Sequence, residues 1–130
     1  MAHVLAPLVR DPQGHFALWN RRTGLPVATR LIAAFDSTSR RQGLLGRSGL
    51  GEEQGMVLAP CSSVHTAFMT FPIDLIFLSR DGRVLRVAAN VPPWRIRLHW
   101  RAFAVVELAG GALARTGTTR GDLVEVRTIV

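Results

Sequence analysis

The chain has 130 residues, 48% of them hydrophobic, and carries a net charge of +7 because 16 basic side chains outnumber 9 acidic ones. That length fits one domain, and a core of this size needs no disulfide or metal to hold together. The apolar content excludes a disordered chain, and no run of about 18 apolar residues is present to span a membrane.

All the basic residues are arginine, which we attribute to codon composition, since a nucleic-acid surface usually mixes lysine and arginine. The excess of fixed positive charge attracts anionic partners at low salt without saying where the charges sit. Met1 to Arg10 lacks a basic segment ahead of its short apolar stretch, and Pro7, Arg10 and Asp11 interrupt that stretch. We therefore expect no cleavable export signal. Cys61 is the only cysteine, so no intramolecular disulfide can form, and a cytoplasmic location is expected.

Residues 1–26 read as an N-terminal extension, broken by Pro12, Gly14, Gly24 and Pro26, with room for one short strand over Phe16 to Trp19. The domain proper, residues 27–130, opens with an apolar and β-branched strand from Val27 to Ile32. Asp36 to Ser39 supplies N-cap oxygens, and Ser39 with Gln42 fits a capping box. The short helix that follows would turn Leu44 and Leu45 inward and end at Gly46 or Gly49. Gly43 inside it costs about 1 kcal/mol relative to alanine and hints at a close approach.

Strands then prevail. Gly55 to Leu58 is one, closed by Pro60. Asp74 to Ser79 and Arg83 to Val87 flank Asp81-Gly82, a strong hairpin signal. Trp94, Ile96, Leu98 and Trp100 alternate with Arg95, Arg97, His99 and Arg101, a period of two that puts one set on each side of a strand. The aromatic and aliphatic set is expected to pack on the core. Pro92-Pro93 would start this segment at a sheet edge. Ala102 to Ala109 and Leu123 to Val130 read as further strands, with one helical turn over Gly110 to Arg115 between them. Arg120-Gly121-Asp122 reads as a turn.

An ordered set of pieces makes the chain recognisable: Arg41-Gln-Gly-Leu-Leu45, Gly55-Met56, Pro72 to Leu78, Asp81-Gly82 with Val84, Val106-Glu107-Leu108, and Gly117 with Gly121-Asp122. With these, residues 27–127 resemble the domain-of-unknown-function family 192. The resemblance implies a mostly β, α+β fold, compact and β-barrel-like, of antiparallel and mixed sheet with one or two short helices. It implies no activity. The commoner form of the family carries Phe-Trp-Met-Lys-Asn-Thr where this chain has Val64 to Met69, so a role of that lysine and asparagine cannot be transferred, and His65 stands in the tryptophan's place.

Four residue groups carry candidate chemistry. Cys61, His65 and Asp74 are the components of a thiolate activated by an oriented histidine. The plainer account, a buried thiol and a histidine satisfying local backbone, is preferred because spacing alone supports the triad. Cys61 and His65 could begin a metal site, yet His3, His15 and His99 are dispersed and no paired ligand motif exists. Asp74 and Glu107 each interrupt an apolar run and must be hydrogen-bonded or paired if buried; Arg47 or an amide near Gly43 is the expected partner of Asp74. Arg95, Arg97 and Arg101 could meet an anionic partner, although charge on an edge strand more often blocks aggregation.

The favoured expectation is a small non-enzymatic binding domain. Its polar pocket, near His65, Thr66, Asp74 and Glu107, would hold a small polar ligand or a peptide, with no cofactor and no metal. A hydrolase or metal-dependent enzyme using Cys61, His65 and Asp74 is the rival reading. Nucleic-acid binding through Arg95, Arg97 and Arg101 is the third.

Overall fold

A computed structural model describes residues 3–129. Met1 and Ala2 of the expected extension, and Val130 at the expected end of the last strand, lie outside the described residues. In chain order the elements are α1 (Ala6–Arg10), β1 (Phe16–Asn20), β2 (Leu25–Ala28), β3 (Arg30–Ala34), α2 (Ser37–Gln42), β4 (Gln54–Leu58), β5 (Ser63–His65), β6 (Ile73–Leu78), β7 (Val84–Val91), β8 (Ile96–Leu98), β9 (Ala104–Ala109), α3 (Ala112–Thr116) and β10 (Val124–Thr128). The protein is mostly β, of the α+β class.

A five-stranded sheet, ordered β3-β4-β9-β6-β7, is the centre of the molecule. Its β3–β4 pair is parallel and its other pairs are antiparallel. One face packs on a three-stranded sheet, β10-β1-β2, and on α1. There Ile76, Leu78, Val106 and Leu108 meet Leu5, Leu8, Phe16, Leu18 and Val27. The opposite face carries Met56, Leu58, Leu75, Phe77 and Val105, covered by Leu44 and by Val64 and Met69 around β5. Because β6 and β9 are buried on both sides, their sequences are near-continuous apolar runs rather than alternating ones.

Three expectations change here. No sheet closes on itself among the described residues, so the fold is layered and open rather than a barrel. Residues 3–26 are not appended to the domain: Leu5 and Leu8 are fully buried, and β1 is the middle strand of its sheet. The strand expected over residues 27–32 is two strands that part at Thr29 and enter different sheets.

Local chemistry explains the boundaries. The Asp36 side chain accepts the Ser39 N–H at 2.8 Å and caps α2, so Asp36 supplies the cap instead of a Ser39–Gln42 box. The helix ends at Gly43, whose φ of +47° few other residues tolerate, earlier than the glycines expected. Gly55 is crowded: a Cβ there would stand 3.1 Å from the Ala28 Cβ of β2 and 3.2 Å from the Leu108 Cδ2 of β9. Asp81-Gly82 turns between β6 and β7 as expected, with Gly82 at φ +91°. Arg120 to Asp122 is a turn, and the buried Asp122 carboxylate takes hydrogen bonds from Arg22, Asn20 and the Thr119 amide.

Candidate functional site

The site is built on β9, the middle strand of the central sheet. Along β9, Val106 and Leu108 face the β10-β1-β2 layer, which sends Glu107 to the other face. Its cross-strand neighbours are Met56 on β4 and Leu75 on β6, both buried and apolar. Glu107 itself is only 3% exposed. Burial, with no compensating hydrogen bond, pushes its carboxyl up to about 7.

Every fully enclosed side-chain nitrogen or oxygen among the described residues has a hydrogen-bond partner. The Glu107 oxygens have none, and they open onto a cavity of about 360 Å³. This volume suits a small organic ligand, for which pockets of roughly 300–1,000 Å³ are usual. The C-terminal end of α2 forms one wall, with Arg40, Arg41 and Gly43. A Cβ on Gly43 would lie 3.4 Å from the Glu107 Oε1, an ordinary contact, so the end of α2 borders the carboxyl and it is the positive φ rather than crowding that favours glycine here. Leu44, Leu58, Val64 and Met69 supply apolar surface, and Cys61 and His65 line the remaining side.

The cavity therefore has a protonatable floor and a basic rim. The Arg40 guanidinium is partly used, donating to the Phe35 carbonyl at 2.5 Å and to the Ala59 carbonyl at 3.4 Å. Arg41 is exposed on the last turn of α2. The Cys61 Sγ donates to the Ser63 carbonyl at 3.2 Å, and its burial, reinforced by the Glu107 charge, pushes the thiol up. A reactive thiolate needs the opposite environment.

The sequence-based set divides. His65 and Glu107 line the cavity; Thr66 and Asp74 do not. The Thr66 hydroxyl donates to the Pro92 carbonyl at 2.7 Å and accepts the Arg95 N–H at 2.9 Å, tying β5 to the segment before β8. Asp74 is fully buried on the opposite face of the sheet. Its Oδ1 accepts the Asn90 N–H at 2.7 Å and its Oδ2 the Leu113 N–H at 2.8 Å. Backbone amides thus hold it, as expected in kind, but neither Arg47 nor the Gly43 region is involved.

This arrangement does not assemble Cys61, His65 and Asp74. Cys61 and His65 border one cavity without a hydrogen bond between them, while both Asp74 oxygens are committed across the sheet. No three His, Cys, Asp or Glu side chains among the described residues group as metal ligands.

The arginine strand also differs from expectation. Only Ile96–Leu98 is strand, and it pairs with β5. Trp94, Ile96, Leu98 and Trp100, expected on the core, are all exposed. Arg95 and Arg101 are exposed as well, and Arg97 is half-buried. Within β8 the pairing puts Ile96 and Leu98 on one side and Arg97 on the other, and Val64, opposite Arg97 and buried against the central sheet, makes the Arg97 side the inner one.

Comparison with known proteins agrees with the fold. Residues 18–126 match the family described as DUF192, uncharacterized ACR. The structure is similar to that of a protein of unknown function from Novosphingobium aromaticivorans DSM 12444, with a TM-score of 0.73 and 30% identity over 85% of this chain and 83% of that one. It is also similar in fold to a "putative transcription regulator" from Sinorhizobium meliloti 1021, with a TM-score of 0.76 and 24% identity over 86% and 92% of the two chains. None of the curated proteins matches the sequence.

Proposed function

The chain belongs to the DUF192 family, and from that premise we propose that it is a ligand-binding domain whose site is the cavity over Glu107. The ligand is a small polar molecule that carries a hydrogen-bond donor, an amine or an amide N–H, for the Glu107 carboxylate. It also carries an anionic group for Arg41 at the rim. The single observation behind this reading is a carboxyl group buried in an apolar surround, without a protein partner, and directed into an open cavity.

Physical chemistry favours this assignment. A buried carboxylate without a partner is costly, and a ligand N–H or ammonium would relieve that cost on binding. Basic groups some distance from the floor then select against a simple cation and for a molecule with both functions. Apolar walls from Leu44, Leu58 and Met69 would hold its carbon skeleton.

The test is a thermal-shift screen of the full chain against amino acids, short peptides, amines, nucleotides and metal ions, followed by calorimetry on any compound that raises the midpoint. A zwitterionic compound should bind, and Glu107→Gln should weaken it at least about tenfold, the loss of one charge-assisted hydrogen bond. If no compound moves the midpoint, or if the one that does binds Glu107→Gln equally well, the reading fails.

A further inference from the structure

The β5–β8 flap turns large apolar side chains away from the molecule. Across this antiparallel pair, Ser63 stands opposite Leu98 and His65 opposite Ile96, while Val64 stands opposite Arg97. Opposed residues share a side of the ladder. Val64 is buried against the central sheet, so Ile96 and Leu98 point outward. Trp94 and Trp100 lie just beyond the two ends of β8, and Phe68 packs edge-on against Trp94 with ring centroids 4.6 Å apart. These five side chains are 52% to 81% exposed. Single exposed apolar residues are ordinary, but five gathered on one small flap mark a docking surface.

Charge identifies the occupant. Between Gly82 and Val106 the sequence carries five arginines and no acidic residue, and Arg95 and Arg101 stand exposed among the aromatic side chains. A second copy of this chain would bring like charge against like. Single-stranded nucleic acid would use the rings as stacking platforms. The outward side of the ladder instead holds Ile96 and Leu98 beside the exposed Ser63 and His65, Phe68 already packs on Trp94, and the Arg101 guanidinium stands 5.6 Å from the centroid of the Trp100 ring. Two aliphatic side chains among polar ones, flanked by tryptophans and arginines, match the boundary between lipid headgroups and acyl chains. Indole rings settle at that boundary, and arginine stems extend toward lipid phosphates.

We propose that the β5–β8 flap docks the protein onto the surface of an anionic lipid bilayer. Ile96 and Leu98 enter the boundary region, Trp94 and Trp100 lie at its level, and Arg95 and Arg101 contact lipid phosphates. The contact is peripheral, and among the described residues no helix is long and apolar enough to cross a membrane. The proposal stands on the flap alone and does not require the Glu107 cavity to bind anything.

Co-sedimentation of the full chain with phosphatidylglycerol-containing vesicles, against vesicles of phosphatidylcholine alone, tests it. The chain should sediment with the anionic vesicles, and its tryptophan emission should shift to shorter wavelength. Ile96→Ser with Leu98→Ser, both on the exposed face, should weaken the partition at least about tenfold without lowering the melting midpoint. Arg95→Glu with Arg101→Glu should abolish it, and raised salt should weaken it, as attraction screened over about 10 Å requires. Absence of sedimentation at low salt overturns the proposal. So does binding of a single-stranded oligonucleotide or formation of a dimer by a chain that ignores vesicles, which would assign the face to nucleic acid or to a second copy.

Discussion

Asp74 and Glu107 lie on adjacent strands of one sheet, one residue out of register, and so project from its opposite faces. Asp74 stands opposite Leu108, and Glu107 opposite Leu75. One carboxylate is fully provided with donors, and the other has none from the protein. That difference separates a structural clamp from a candidate site.

Asp74 joins the Asn90 amide, in the irregular stretch of β7, to the Leu113 amide in the first turn of α3, where Gly111 offers no side-chain cap. Asp74→Ala leaves both amides without an acceptor and should cost on the order of 3 kcal/mol in urea denaturation. Asp74→Asn keeps one acceptor and should lose about half as much. A loss below about 0.5 kcal/mol in the alanine variant would mean that the clamp is dispensable.

Glu107 sets a pH dependence of the opposite sense from that of an ordinary carboxylate. Its folded value, about 7, exceeds the ordinary 4.5. Below 4.5 both states hold the proton and nothing is lost. As pH rises from there to about 7, the unfolded chain gives up a proton that the folded chain keeps, and stability falls by up to on the order of 3 kcal/mol before levelling. Glu107→Gln should flatten this slope between pH 5 and 8 and melt higher than the parent at pH 8. Parallel melting curves for the two proteins across that range would refute the assignment.

Asp122 works in the usual direction. The Arg22 guanidinium, bonded at 2.6 Å, with Asn20 and the Thr119 amide, holds its carboxyl down at about 2 from an ordinary 3.8. Its contribution is complete above the ordinary value and disappears as pH falls toward about 2. Asp122→Asn should lower stability at neutral pH by about 1–2 kcal/mol and reduce the acid sensitivity between pH 4 and 2. Equilibrium unfolding at several acidic pH values measures both effects.

Cys61 should react slowly. Burial and the neighbouring Glu107 charge push its thiol above the usual 9.0. Alkylation by iodoacetamide at pH 8 should run several-fold slower than that of a free cysteine peptide, because only the thiolate attacks. Glu107→Gln should accelerate it by removing a nearby negative charge. A rate equal to the peptide's would contradict the half-buried placement.

The parts of this fold written in local chemistry were readable beforehand. The hairpin at Asp81-Gly82, the buried strand after Pro72, the oxygen cap before α2 and the clamped state of Asp74 each rest on a residue type acting on its own neighbourhood. What escaped depends on distant packing. Leu5 and Leu8 belong to the core because α1 packs on the central sheet, and no local pattern announces that contact. Ser63 to His65 is too short and too polar to read as a strand, yet it holds β8 in place. Glu107 looked like a second Asp74, since one apolar run resembles another until the sheet assigns each residue a face.

The position of β1 between β2 and β10 has a kinetic consequence. Its ladder to β10 joins Phe16 to Thr128, near opposite ends of the chain. The closure entropy of almost the whole sequence must be spent before that contact returns any stability, so folding should be slow for a domain of this length. Until then Phe16 and Leu18, buried in the finished core, remain in water. The interval in which the molecule is most exposed to aggregation is therefore set by the time β1 waits for its partner.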